Sequence, residues 1–370
     1  MRATFLVIAG LLPAAMALPA QSPPQWRYTE ELRIGSEEDD PRGFSDIRGI
    51  LVDRKGNIWI IEGSLQEIRV FDPSGKHLKT VGRNGKGPGE FTYPDGLAMA
   101  PDGMIWVHDP KNARFSIFDQ DGKFVRQQLA PAGGYSYVWF GGVDSKGRIW
   151  DRIFHRDPKK PEVSYVRRAS PDWSKVDTLS LPHCSAAGLT AEESSFKFPR
   201  GFAAVPFFPG PVSAIDYNDA SLWCAPTSAH YRLARIRIEG GDTLARITGK
   251  ANQLPVTAIE RDSAVSRLKE FMKKAGEVAL DWSRIPKVKP LLSGAFADDQ
   301  GRLWVRRTSE ESEGVFDIYT RDGRAVATLT APHPVTIYIR PIVRGSVGYF
   351  VAQASGEVPY VIRFRFGPTR

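Results

Sequence analysis

Two cysteines in 370 residues are too few for a disulfide-built scaffold, and neither a CxxC pair nor a third thiol is present to make a zinc or redox site. Beyond residue 20, no stretch approaches the roughly 20 apolar residues that a membrane-spanning helix needs. HExxH, GxSxG and Gly-Lys-Ser/Thr do not occur, so the common zinc-protease, serine-hydrolase and nucleotide-loop signatures are excluded. The net charge of +8 is not gathered into one basic stripe, because the run Glu37-Glu38-Asp39-Asp40 interrupts it. Nucleic acid is therefore not an expected partner.

Glycine (34) and proline (28) are plentiful, and long helical periodicities are scarce, which suits an all-β chain with many turns. A core for a chain this long implies a barrel, a propeller or a solenoid. The first residues read as an export signal. Arg2 supplies the charge, Phe5 to Ala15 the apolar stretch, and cleavage is expected after Ala17 or Ala20. Losing residues 1–20 lowers the net charge from +8 to +7. The expected location is secreted or periplasmic, where Cys184 and Cys224 either form a disulfide or remain as two buried thiols.

An internal repeat organises the rest of the chain. With a shift of 47 residues, Gly35 falls on Gly82, Phe44 on Phe91, Gly49 on Gly96, Ile58-Trp59 on Ile105-Trp106 and Phe71-Asp72 on Phe118-Asp119. Each unit contains four β-like pieces joined by short turns, which is the pattern of one propeller blade. Looser copies begin at "GGVDSKGRIW", near Pro211–Asp216, at "SGAFADDQGRLW" and at "VTIYIRPIVRG". The last copy lacks a fourth strand, and the N-terminal "QWRYTEELRIG" is expected to fill that place. The prediction is a six-bladed β-propeller of four-stranded antiparallel blades over residues 21–370, its ring closed by the N-terminal strand. The loop "GRNGKGPGEF" (82–91) is then a joint between blades and not a phosphate loop, since a strand and not a helix comes after it. One helical insertion is expected at about 257–282, with Ile259, Val265, Leu268 and Met272 on its apolar face.

The segment "GRNGKGPGEF…PDGLAMAPDGMIWVHDPKNARFSIFDQDGKFV" resembles the NHL-repeat class of six-bladed propellers. It carries the Gly-Pro-Gly-x-Phe entry and the step Asp109, Asn112 and Arg114, where the first unit has Glu62, Leu65 and Glu67. The segment "IPKVKPLLSGAFADDQGRLWVRR" is similar to uncharacterised exported bacterial propellers. These resemblances imply fold and location and no reaction.

Candidate site residues come from the register. Propellers bind at the channel face formed by loops entering the innermost strands, and there Arg48, Asp95, Trp139, Ser293 and Arg340 fall at matching or nearby positions. Arg48 and Asp95 read as rim residues that folding can do without. Trp59, Trp106, Trp150, Trp223 and Trp304 recur at one strand position and read as packing between blades. The pieces "DPSG", "DQDG", "DSKG" and "DDQG" read as hairpin turns, because calcium loops would need further ligands and a distal Glu. No cofactor or metal is implied. Two functions remain open: a monomeric, non-enzymatic scaffold for a protein, peptide or glycan of the cell envelope, and a metal-dependent hydrolase or lyase of the lactonase or amidating-lyase kind.

Overall fold

The computed structural model describes residues 23–35, 43–130, 138–139, 141–155, 163–180, 191–310, 314–331, 333–353 and 358–368. The expected export signal and Cys184 lie outside them. Sequential strands pair antiparallel into a propeller-like arrangement of four-stranded sheets.

The first sheet holds Ile47–Val52, Ile58–Glu62, Glu67–Phe71 and His77–Val81. The second holds Gly96–Met99, Ile105–Asp109, Arg114–Phe118 and Phe124–Leu129. The third holds Gly142–Val143, Ile149–His155, Val163–Ala169 and Val176–Ser180, and the fourth holds Val212–Asp216, Ser221–Ala225, Arg232–Arg237 and Thr243–Thr248.

The remaining strands form a nine-stranded sheet made of two such groups. Leu292–Ala297, Leu303–Arg307, Val315–Tyr319 and Ala325–Thr330 make the first group. In the second, Val335–Thr336 and Ile342–Arg344 both pair with Val347–Ala352, which pairs with Tyr360–Pro368. Gln25–Ile34 then adds antiparallel to Tyr360–Pro368, in the outer place that the incomplete last copy left open. Trp26 secures it by stacking on Phe366 at 5.4 Å.

The repeated Asp and Trp explain why the inner hairpins form. Asp53 Oδ1 accepts from the backbone N–H groups of Lys55 and Asn57 at 2.8 and 2.9 Å, while its Oδ2 accepts from Trp59 Nε1 at 3.0 Å. Asp144 with Trp150 and Asp298 with Trp304 repeat the arrangement, each with an indole bond of 2.9 Å. One carboxylate thus closes the turn and satisfies a buried indole. The carboxylates of Asp72 and Asp119 likewise accept backbone N–H groups of their own turns, as hairpin use requires. Trp59, Trp150, Trp223 and Trp304 are at most 1% exposed, so the indoles are core. Trp106 is 2% exposed, but Ala100 stands where Trp59, Trp150 and Trp304 have Asp, and its Nε1 has no partner among the described residues.

The joint at 82–91 is held from the next blade. Arg114 donates to the carbonyls of Lys86, Gly87 and Glu90, and Asn112 to that of Gly85. Asp109 accepts from the N–H groups of Thr92 and Tyr93 at 3.0 and 2.8 Å. Phe91 is fully buried against Phe118, and a side chain at Gly82 (φ 77°) would run into its ring. In the first unit Glu62 takes over from Asp109, accepting from Ser45 N and Oγ.

Within the expected insertion the helix itself is short. The helix runs Ala258–Ala275, starts in a capping box of Thr257 and Glu260, and ends before Gly276, with a short 3-10 turn after it at Trp282–Arg284. Ala264, Leu268 and Ala275 are buried, and Leu268 and Ala275, with Val265 and Met272 beside them, pack against Phe196 and Phe198 of the hairpin Ser195–Phe198 and Gly201–Ala204. Ile259 is 82% exposed, contrary to its assignment to the apolar face. At about 100° per residue it lies opposite Leu268, so it was never on that face.

Candidate functional site

The innermost strands surround a cavity of about 240 Å³. Its wall includes Arg48 to Leu51, Asp95 to Met99, Trp139 and Gly141 to Val143, Asp216 to Asn218, Ala297 to Asp299 and Ile339 to Arg344. A second cavity of about 140 Å³ shares Trp139, Gly141, Tyr217 and Arg340 with the first. Strand register sets the places of three expected residues. Gly49, Gly96 and Gly294 pair with Ile61, His108 and Arg306, each two residues past its tryptophan. Arg48, Asp95 and Ser293 are the residues before those glycines.

Arg48, Asp95, Trp139 and Arg340 line the larger cavity together, and Ser293 is not among its lining residues. Ser293 is exposed at a bulge in its strand, with its hydroxyl donating to the Arg306 carbonyl at 3.3 Å. Arg48 bonds Asp46 through Nε at 2.7 Å, and its guanidinium sits 3.9 Å from the centre of the Tyr93 ring. That packing holds the cation in place at the start of the strand.

Asp95 is not a rim residue. It is 2% exposed, and its Oδ1 lies 2.6 Å from His108 Nδ1. Burial pushes the Asp95 carboxyl above the ordinary aspartate range, and the bond to His108 opposes the shift. His108, itself 6% exposed, stacks on Trp139 with ring centres 5.4 Å apart. Trp139 Nε1 donates to Asp151 at 3.2 Å, and Asp151 also accepts from Arg167 at 2.5 Å. A buried polar chain therefore runs from the cavity wall into the third sheet.

Sequence reasoning missed this pair, although the strand register carried the signal: His108 faces Gly96, one residue from Asp95. It also missed Tyr217 and Tyr338. Tyr217 stands where the other units have the turn Asp or Ala100, and lines both cavities. Arg340 lies over the Tyr217 ring at 4.9 Å.

The carboxylates of this wall have partners within the protein. Asp216 pairs with Arg321 at 2.9 Å, Asp298 with Arg302 at 2.6 Å, and Asp95 with His108. Arg344 donates to the backbone carbonyls of Val52 and Asp53, and no acid pairs with it among the described residues. Among the described residues there is no group of three or more His, Cys, Asp or Glu side chains spaced to hold a metal ion. Cys224, 1% exposed, is disulfide-bonded, and the other cysteine, Cys184, is outside the described residues.

No family model matches the chain. It is 23% identical over 157 residues to NHL repeat-containing protein 3 of Mus musculus, covering 40% of this chain and 39% of that protein. It is 38% identical over 71 residues to the RING finger protein nhl-1 of Caenorhabditis elegans, covering 19% of this chain and 7% of that one. The chain thus spans well under half the length of these relatives. Among solved structures, a member of the DUF4221 family from Bacteroides vulgatus superposes with a TM-score of 0.56 at 13% identity, covering 94% of this chain and all of that one. That similarity concerns fold alone. Among the described residues, no helix is long and apolar enough to cross a membrane.

Proposed function

We propose that this chain, an NHL-like β-propeller, is an exported six-bladed binding scaffold that recognises a protein, peptide or glycan of the cell envelope through its channel face. The observation behind this reading is the convergence of Arg48, Asp95, Trp139 and Arg340 on one cavity. A few fixed polar groups beside aromatic faces suit a polar ligand with some apolar surface. In this reading residues 1–20 are removed as a signal, residues 21–370 form one monomeric domain, and Cys224 pairs with Cys184. The second reading, a metal-dependent hydrolase or lyase, draws on the Asp95–His108 pair, whose buried acid and imidazole are the groups that proton transfer uses.

The test is capture from an envelope fraction on immobilised mature protein purified without chelator. The scaffold reading expects a partner held by the wild type and released by an Arg48→Ala variant that is still folded at the assay temperature. Partners indifferent to Arg48→Ala would remove the channel face from the proposal. A stoichiometric divalent ion in elemental analysis of the same preparation would transfer support to the hydrolase or lyase.

A further inference from the structure

The position two residues past the repeated tryptophan holds a basic side chain in two of the strand groups. In the second sheet it is His108, opposite Gly96, and in the group Leu292–Thr330 it is Arg306, opposite Gly294. Both glycines are covered from the group that follows: a Cβ at Gly96 would run into Trp139, and one at Gly294 into Ile337. The same frame is therefore built twice at the channel end of the inner hairpin.

The two frames differ in their acid. The residue before Gly96 is Asp95, whose carboxylate meets His108 Nδ1 at 2.6 Å. The residue before Gly294 is Ser293, whose hydroxyl donates to the Arg306 carbonyl at 3.3 Å. The second copy keeps the base and lacks the carboxylate.

No group of the described residues takes the place of that acid, since none accepts a hydrogen bond from the Arg306 guanidinium or pairs with it. Its Nε faces Gly314, Phe316 and Val335. A Cβ at Gly314 would lie 3.2 Å from that nitrogen, 3.1 Å from the Phe316 ring and 3.2 Å from Val335. Burial lowers the Arg306 pKa from its ordinary value of 12.5, and no acid opposes the shift. A guanidinium taken out of water without an acceptor is costly, so an anion arriving from solution gains more here than at an open surface. The way in is open, because Arg306 is only partly buried and Ser293 is exposed.

We propose that Arg306 and Ser293 form a subsite for a ligand carboxylate, which stands where Asp95 stands in the second sheet. The guanidinium fork donates to the two carboxylate oxygens, and the Ser293 hydroxyl is a further donor beside it. Neither residue lines the two channel cavities, and the assignment is independent of both readings of the channel.

Binding is followed by ligand-observed NMR titration of the purified protein at low ionic strength. The probes are N-acetylglycine, its neutral amide, inorganic phosphate, and a short peptide with one internal Asp and blocked termini. N-acetylglycine is expected to bind about 10- to 100-fold more tightly than the amide, the margin of hydrogen bonds to a charged group. Arg306→Gln should erase that margin without lowering the melting temperature, because it removes an unpaired charge. Ser293→Asp supplies the acid from within the chain. It should block the probe and raise the melting temperature by about 1–3 °C, and Ser293→Asn, which adds no charge, should do neither. Tighter binding of the Asp peptide assigns the carboxylate to a protein side chain, and tighter binding of N-acetylglycine assigns it to a small acid or a chain terminus.

Equal affinity for the acid and its amide, an undiminished margin in Arg306→Gln, or phosphate that outbinds both carboxylates overturns the proposal. So does a Ser293→Asp variant that binds the probe as wild type does, since the frame would then not bring an acid onto Arg306. Two acids close in sequence, Glu311 and Glu313, lie outside the described residues. If wild type binds no carboxylate and the double variant Glu311→Gln, Glu313→Gln does, the counter-charge is internal and the ligand assignment falls. None of these results bears on envelope capture through Arg48.

Discussion

The two ends of the innermost hairpins follow opposite rules. At the turn end, Asp53, Asp144 and Asp298 do the same thing three times over, each closing a turn and taking an indole N–H. At the channel end, the residues before equivalent glycines are Arg48, Asp95 and Ser293, a paired cation, a buried acid and an exposed hydroxyl. Where every blade must pack against the next, one solution recurs. Where blades face the shared cavity, each has its own side chain. Repetition therefore marks what holds the ring together, and departure from it marks what the ring presents.

The largest effect should come from breaking the repeated end. Trp304→Ala is expected to lose about 3–5 kcal/mol in denaturant unfolding, as large buried aromatics do. Trp106→Ala should lose a comparable amount from packing alone, and an unchanged melting curve for either would refute the core assignment.

Asp144→Ala should cost about 1–3 kcal/mol, because it strands the Trp150 indole and the turn N–H groups. The second repeat allows the converse experiment. Ala100→Asp is expected to stabilise by about 0.5–1.5 kcal/mol by giving Trp106 Nε1 its missing acceptor. A loss would mean that the local packing around Ala100 cannot admit the carboxylate, and would separate this turn from the other three.

At the channel end, Asp95 gives a pH signature. Its carboxyl lies above the ordinary value of 3.8 in the folded protein. The native state therefore holds the proton more tightly than the unfolded chain does. Its contribution to stability is complete below that ordinary value and is lost as pH rises through the folded pKa. Asp95→Asn cannot titrate, so its stability relative to wild type should improve as pH rises from about 4. Parallel unfolding curves from pH 3.5 to 7 would read this directly, and a constant difference would show that burial does not govern the group. Arg48→Ala should cost about 1–2 kcal/mol, because it unpairs a largely buried Asp46 and removes the contact with Tyr93.

Much of the fold was legible because its determinants are local. Turn residues, two-residue alternation and a tryptophan six places after an aspartate all act within one hairpin, so they survive in the order of the letters. Even the closing strand could be placed, because a last unit without its fourth strand needs a partner for an open edge. Legibility failed where long-range packing decides. Ile259 looked like part of the helix face by its apolar character, while its angle put it opposite Leu268. The closing group has no tryptophan mark, and its strand break at 337–341 arises from anchors in two separate clusters.

The same division runs through the candidate site. By itself the sequence determined the repeat, the all-β class, the turn chemistry and the positions from which Arg48, Asp95, Trp139 and Arg340 enter the channel. Only the tertiary structure decided what those side chains do there. It brought Asp95 against His108 and turned it from a rim charge into a buried one, moved Ser293 out of the wall, and set Arg340 over Tyr217 from a different blade. The physical reason is that backbone hydrogen bonds of a hairpin are fixed by neighbours in sequence. Burial, pairing and desolvation depend instead on residues up to the whole length of the chain away.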